Sequence, residues 1–182
     1  MNILRSIFQA IYDRIIATRN PVKFARSLGI TVGSNVHFYG INRGMFGSEP
    51  WMIKIGDNVY ITAGVQFVTH DGGTLILRKE VPDLEWSAPI TLGDDVYIGI
   101  RAIILPGVNI GNRCIVAAGS VVSRSIPDNC VVAGVPARII KTTDQYLEQM
   151  KNKSLKCGHL EYSEKDKVLK SIYQSQFQQI QQ

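Results

Sequence analysis

The sequence predicts a mainly β protein, a parallel β-helix with helical flanks and one protruding loop. Three observations carry this. Leu92, Ile98, Ile104, Ile110, Val116 and Val122 recur at a strict interval of six. A period of six matches neither the 3.6 of a helix nor the 2 of a half-buried strand, so each unit reads as a short strand followed by a bend. Finally, an offset of 18 residues, three such units, sets Leu92 over Ile110, Ile98 over Val116 and Ile104 over Val122, which describes aliphatic ladders inside a three-sided prism.

At the amino terminus, Ile3, Leu4, Ile7, Phe8, Ile11, Tyr12, Ile15 and Ile16 follow helical spacing, and Arg5, Gln9, Asp13 and Arg14 fall off that face. The pattern predicts an amphipathic helix over 2–18. It is expected to pack on the prism or on a neighbouring subunit; a basic amphipathic anchor at an anionic membrane surface is the sharper alternative. Asn20 and Pro21 suit the cap and first position of a short second helix, PVKFARSL, and Gly29 suits its left-handed end.

The six-residue frame begins fragmentarily at VGSNVH (Val32) and continues as IGDNVY, ITAGVQ and FVTHDG from Ile55, Ile61 and Phe67. It resumes as LGDDVY, IGIRAI, ILPGVN, IGNRCI and VAAGSV. One prism domain is expected over 31–140, between an N-terminal helical segment (1–30) and a C-terminal helical tail (141–182). Two stretches break the rhythm. FYGINRGMFGSEPWM (38–52) is rich in Gly and aromatics and reads as an irregular coil. Phe67 and Leu92 lie 25 residues apart, not a multiple of six, so GGTLILRKEVPDLEWSA, about 72–88, must leave the prism as an excursion; loops that long are usually functional or disordered. In the tail, Val168, Leu169, Ile172, Tyr173, Phe177 and Ile180 form a helical stripe behind Ser163 and Asp166, a pair resembling a capping box. This helix is expected to pack on the prism's exterior.

Composition suits one soluble domain: 182 residues, 45% hydrophobic, 19% charged, with no apolar run near the ~20 residues a membrane span requires. With no evident secretory signal, a cytoplasmic location is expected. Cys114, Cys130 and Cys157 match no metal or redox spacing and read as reduced structural thiols. The net charge of +5 sits on the flanks: residues 1–30 hold five Arg/Lys against one acid, 31–140 eight against nine, and the tail seven against five. No aromatic-basic interleaving or recognition helix accompanies it, which argues against nucleic acid and for polyanionic small molecules.

Regular coils need only spacing residues, so chemistry is expected where the repeat breaks. His70, in VTHDGG, stands at that break.

IGDNVYI, a His before a looped-out excursion, APITLGDDVYIG, ILPGVNIG, AAGSVVSRSIP and VVAGVPARIIK follow one another between Ile55 and Lys141. In this ordered combination the chain resembles the hexapeptide-repeat acyltransferases, particularly the galactoside, maltose, xenobiotic and polysaccharide O-acetyltransferases. The resemblance implies a left-handed course of the coils, since general topology rules alone favour right-handed crossovers. It implies a homotrimer with active sites at subunit interfaces, acetyl-CoA as co-substrate and no required metal. His70 matches the family's general base, which would take a proton from an acceptor hydroxyl as its oxygen attacks the thioester. Direct transfer is then simplest, because no nucleophile elbow or Cys-His pair is readable. Glu80 and Asp71 are candidates for orienting His70, beside a backbone carbonyl, and a backbone amide is expected to stabilise the oxyanion. By the same resemblance Ile100, Ala118 and Gly119 fall on the groove for the pantetheine arm, with Ile100 departing from the small or polar residue usual there. Ser123, Arg124, Arg138 and Lys141 fall on the phosphate end. Tyr39, Asn42, Trp51 and Trp86, in the two irregular segments, are candidates for an acceptor sugar's apolar face. O-acetylation of a saccharide or similar alcohol is the expected function. The alternatives are a γ-type carbonic anhydrase-like zinc protein, against which the spacing of His37, His70 and His159 argues, and a non-catalytic hexapeptide-repeat scaffold.

Overall fold

The computed structural model describes residues 3–179. A first compact unit ends at Asp144 and a second begins at Gln145. The first opens with α1 (Ile3–Arg19) and α2 (Pro21–Ser27); residue 2 of the expected helix lies outside the described residues. The Asn20 side chain accepts from the Lys23 amide and Pro21 takes the first turn, satisfying one of the amides a helix start leaves open. Gly29 follows with φ +95, the left-handed backbone expected of it. The apolar face of α1 departs from expectation. Phe8, Ile11, Tyr12 and Ile15 are exposed; among the described side chains of the helix Ala17 is buried, and Asp13 on that inner side holds Arg43 at 2.9 Å. Among the described side chains the helix is attached through Asp13 and Ala17, with Ile16 half-buried, and Phe8, Ile11, Tyr12 and Ile15 do not pack on the prism; the side chains of Ile3, Leu4 and Ile7 lie outside the described residues.

The strands that follow distribute over three sheets. β1 (Thr31–Val32), β3 (Ile53–Ile55), β6 (Ile90–Leu92) and β9 (Asn109–Ile110) make the first. β2 (His37–Phe38), β4 (Tyr60–Ile61), β7 (Tyr97–Ile98), β10 (Ile115–Val116) and β12 (Cys130–Gly134) line the second, and β5 (Gln66–Phe67), β8 (Ile103–Ile104) and β11 (Val121–Val122) the third. All of these pairings are parallel, and β3 to β11 visit the three sheets in strict rotation. The register sets Leu92 opposite Ile110, Ile98 opposite Val116 and Ile104 opposite Val122, the three superpositions that the period of six predicts.

Most of these strands are two residues long, the first turned outward and the second buried. Two residues cannot make a stable strand alone; stacking supplies the stability, at about 1.5–3 kcal/mol for each fully buried Val, Leu, Ile or Phe. Corners carry a second ladder. Asp57, Asp94, Asn112 and Asp128 each accept, through Oδ1, the backbone amide of Ser34, Asp57, Asp94 and Asn112 respectively on the preceding coil, at 2.6–2.8 Å. The residue before each donor is a glycine, Gly33, Gly56, Gly93 or Gly111, and must be: a Cβ on Gly56 would stand 2.4 Å from Asp94 Oδ1 and 2.6 Å from the Gly93 carbonyl.

The segment 38–52 is irregular as expected, with 3-10 turns at Arg43–Phe46 and Pro50–Met52. It is also part of the core: Met45 and Phe46 are fully buried, and the Phe46 ring lies edge-on to Phe38 and stacked on Phe67. The excursion leaves between Thr69 and Ala88, whose backbones pair at its neck, as do Asp71 and Trp86. Its first part is a 3-10 helix, Gly72–Leu77.

Periodicity does not announce β13 (Ala137–Thr142), which turns back antiparallel on β12, or α3 (Thr143–Lys153). Beyond it, α4 (Tyr162–Gln179) starts one residue before Ser163, so that serine lies inside the helix and is not its cap, and Asp166 pairs with Lys170 instead. Val168, Leu169 and Ile172 are half-buried and Tyr173 is exposed; Ile180 and the Phe177 side chain lie outside the described residues. All three cysteines are free and buried, and burial pushes the Cys114 thiol above its ordinary range.

Candidate active site

β5 continues its alternation beyond Phe67, turning Thr69 fully inward and His70 toward the neck of the excursion. Opposite them, the turn between the two 3-10 segments of 43–52 presents Glu49. That turn approaches β5 closely because Gly47 has φ +64, and a Cβ there would come within 3.1 Å of the Phe67 carbonyl. One carboxylate oxygen then serves two donors. Glu49 Oε2 accepts the Thr69 hydroxyl at 2.7 Å and meets His70 Nδ1 at 2.9 Å. These bonds, Thr69 first and His70 second, hold the Glu49 carboxyl below its ordinary value. An ionised carboxylate can only accept, so Nδ1 carries the proton and the neutral ring keeps its lone pair on Nε2. Nothing among the described residues bonds Nε2. The side chains of His70 and Glu49 are 35% and 28% exposed, half-sheltered at an open cleft of about 220 Å³ whose other walls include Ser48, Thr74, Leu75, Arg78 and Glu85. Arg78 is bound to the Glu85 carboxylate and to the Leu84 carbonyl.

The orienting partner is thus Glu49, and the expectation for Asp71 or Glu80 is corrected. Asp71 spends its Oδ1 on the Gly73 amide at 2.8 Å, capping the 3-10 helix, and Glu80 is exposed in the excursion. Glu49 is the only acid in the irregular segment 38–52. That isolation, between Gly-Ser and Pro in a break of the repeat, is the sequence signal that could have found it.

The candidate cofactor-binding residues divide into groups. Ile100, 49% exposed, accepts the Gly119 amide through its carbonyl at 2.8 Å, so Ile100 and exposed Ala118–Gly119 stack at the corner between the second and third sheets. Ser123 and Arg124 are exposed just past β11, at the corner where, two coils earlier, His70 follows β5. At a strand spacing of about 4.8 Å that separates the two by about 10 Å along the stack. Arg138, exposed, and Lys141, half-buried, both lie on β13; Ser120 ties this hairpin to the Ala118–Gly119 corner through the Gly134 amide. None of the seven lines the cleft beside His70. Of the acceptor candidates, Trp86 alone is brought to the neck, through its carbonyl to Asp71. Tyr39, Asn42 and Trp51 are exposed elsewhere, Trp51 with its Cβ against Gly29.

The histidines do not gather. His37 stacks on Tyr60 and bonds Asn35, and among the described residues no three His, Cys, Asp or Glu side chains are grouped to hold a metal ion.

Residues 89–124 match the model of the bacterial transferase hexapeptide family, six repeats. The chain is 46% identical over 140 residues to Protein CapG of Staphylococcus aureus, spanning 77% of this chain and 81% of that one. It is 40% identical over 122 residues to the galactoside O-acetyltransferase of Escherichia coli, covering 66% of this chain and 58% of that enzyme. Among solved structures, a hexapeptide-repeat acetyltransferase of Vibrio cholerae complexed with acetyl coenzyme A matches with a TM-score of 0.55 and 28% identity, over 75% of this chain and 86% of that one. With its three parallel sheets, its interrupted coil and these relatives, the chain belongs to the hexapeptide-repeat acyltransferases, a family of enzymes.

Proposed function

We propose that the protein moves an acetyl group from acetyl-CoA to a hydroxyl of a saccharide or similar alcohol, by direct transfer with His70 as general base. The observation that carries this is the Glu49-anchored imidazole, with Nε2 uncommitted beside a cleft. Glu49 fixes the tautomer and the ring plane; Thr69, itself buried, fixes Glu49. Nε2 then accepts the acceptor's proton as its oxygen attacks the thioester carbonyl, the thiolate leaves, and the imidazolium returns the proton to it. Glu49 stabilises the cation in between. That the galactoside O-acetyltransferase and the acetyl-CoA-bound neighbour are relatives supports both the donor and the acceptor class.

The remaining parts of this reading rest on the family resemblance. Residues 31–140 form the catalytic β-helix, left-handed, between the segments 1–30 and 141–182. The chain works as a homotrimer in the cytoplasm, its active site lying between protomers. Separation of the Ile100–Gly119 corner from the His70 cleft within one chain supports this, because a neighbouring prism can bring one chain's His70 to another's groove. Ser123, Arg124, Arg138 and Lys141 bind the nucleotide phosphates, and Trp86 faces the acceptor.

The test is a panel of saccharides with acetyl-CoA and a free-thiol readout. His70→Ala is expected to lower turnover about 10²–10⁴-fold with the unfolding temperature and particle size unchanged. Undiminished turnover in that variant would overturn the assignment, and failure of the wild type to bind coenzyme A in calorimetry would favour a scaffold.

A further inference from the structure

The stripe Phe8, Ile11, Tyr12 and Ile15 is 71%, 52%, 58% and 47% exposed. It is the largest run of exposed apolar side chains on one regular element among the described residues, and the mechanism does not use it. Spacings of three and four put all four on one face of α1. The opposite face is attached: Ala17 is buried, and Asp13 receives both Nε and Nη2 of Arg43 at 3.0 and 2.9 Å. The orientation of the stripe is therefore fixed, outward.

Charge around it is one-sided. Arg14, Arg19 and Lys23 are exposed, and the single acid of residues 1–30, Asp13, is already matched by Arg43. An apolar strip edged by uncompensated cations is complementary to a surface that is anionic at the headgroup and apolar just beneath it. Pairing of two such stripes across a two-fold axis fits less well: the strip runs over about two turns, about 11 Å, too little for the ~800 Å² per partner of a stable association, and an isologous contact would set like charges together. Among the described residues no helix is long and apolar enough to cross a membrane, which leaves lying on the surface as the available mode.

We propose that α1 docks the protein on an anionic lipid bilayer, with Phe8, Ile11, Tyr12 and Ile15 in the interface and Arg14, Arg19 and Lys23 at the headgroups. This inference does not depend on the acetyl-transfer reading. The test is flotation of the full chain with vesicles of phosphatidylcholine alone and of phosphatidylcholine with 30% phosphatidylglycerol. The protein is expected to float with the anionic vesicles only and to be released by 0.5 M salt. Ile11→Ser with Ile15→Ser is expected to lower partitioning at least tenfold, and Arg14→Gln with Arg19→Gln by a similar factor, about fivefold per cation. The charge variant leaves the apolar stripe whole, so it keeps the proposal testable if the serine variant loses its circular dichroism. Equal flotation with both vesicle types, none with either, or wild-type flotation of the folded variants would overturn the proposal. So would a smaller particle in light scattering of the folded serine variant, which would assign the stripe to a neighbouring copy.

Discussion

The uninterrupted coils from Leu92 to Val122 and the interrupted ones before them use the same repeat for different ends. In the former, each coil has one outward and one inward residue per short strand, and the register follows without exception. In the latter, two departures, 38–52 and the excursion after His70, meet at one corner and bring Glu49 against Thr69 and His70. Regularity makes a rigid wall with little chemical variety, because every position repeats its neighbour. Chemistry requires residues that occur once, and these enter where the coil count is broken. Gly47 shows the cost of the meeting: a Cβ there would press to 3.1 Å on the Phe67 carbonyl, at a φ of +64 that side chains rarely adopt.

Changes at the interruption are expected to alter rate and leave stability, whereas changes in the regular coils are expected to do the reverse. The largest effect is expected from His70→Ala, the turnover loss of about 10²–10⁴-fold already described. Ile98→Ala, at a fully buried rung between Ile61 and Val116, is expected to cost about 2–5 kcal/mol of unfolding free energy in urea titration, with the residual folded enzyme retaining its Michaelis constants. Glu49→Gln is expected to lower kcat about 10–100-fold with KM nearly unchanged, and Glu49→Asp to restore part of it; a stability loss without a kcat change would make the residue merely structural. Asp94→Ala removes one acceptor from the corner ladder and is expected to cost about 0.5–1.5 kcal/mol at full activity, read as a lower unfolding temperature.

The smallest effect is a pH dependence. Because the Glu49 carboxyl is held below its ordinary 4.5, the unfolded chain binds its proton first as pH falls. The bonds to Thr69 and His70 therefore contribute stability that is complete above about 4.5 and is lost as pH drops through the lower, folded value. At a site more than a quarter exposed this contribution is small. A difference between wild type and Glu49→Gln in unfolding temperature that narrows from pH 6 to pH 3 checks it.

How far the sequence was readable follows from the same division. Parallel ladders were legible because Leu92, Ile98 and Ile104 predict their own partners one period on, a local property that needs no folding calculation. His70 was legible as the last residue of note before the count failed. Glu49 was not: it reaches His70 across 21 residues through a turn whose path depends on Gly47 and on the burial of Phe46, neither of which is periodic. Amphipathicity states that a face of α1 is apolar and not what it meets, so the sequence left the prism, a neighbouring subunit and a membrane surface open, and Phe8, Ile11, Tyr12 and Ile15 face outward. β13 is not announced because the six-residue period ends before it, and the chain reverses at Gly134–Pro136 to pair antiparallel with β12. The candidate cofactor-binding residues came from resemblance alone; their distribution over two corners and a hairpin has no counterpart in the hexad pattern.

β13 has a last consequence. A stack of parallel coils is open at both ends, and each end offers unpaired backbone groups on which another molecule's coil could continue the series, as in a growing fibre. At the carboxyl end of the second sheet that continuation would have to add a parallel strand, but the outermost one runs the opposite way and begins with a proline one residue before it. At the other end, α2 lies over β1 and β2. The two closures keep a fold built from indefinitely repeatable units finite, which is a condition for it to serve as a discrete enzyme.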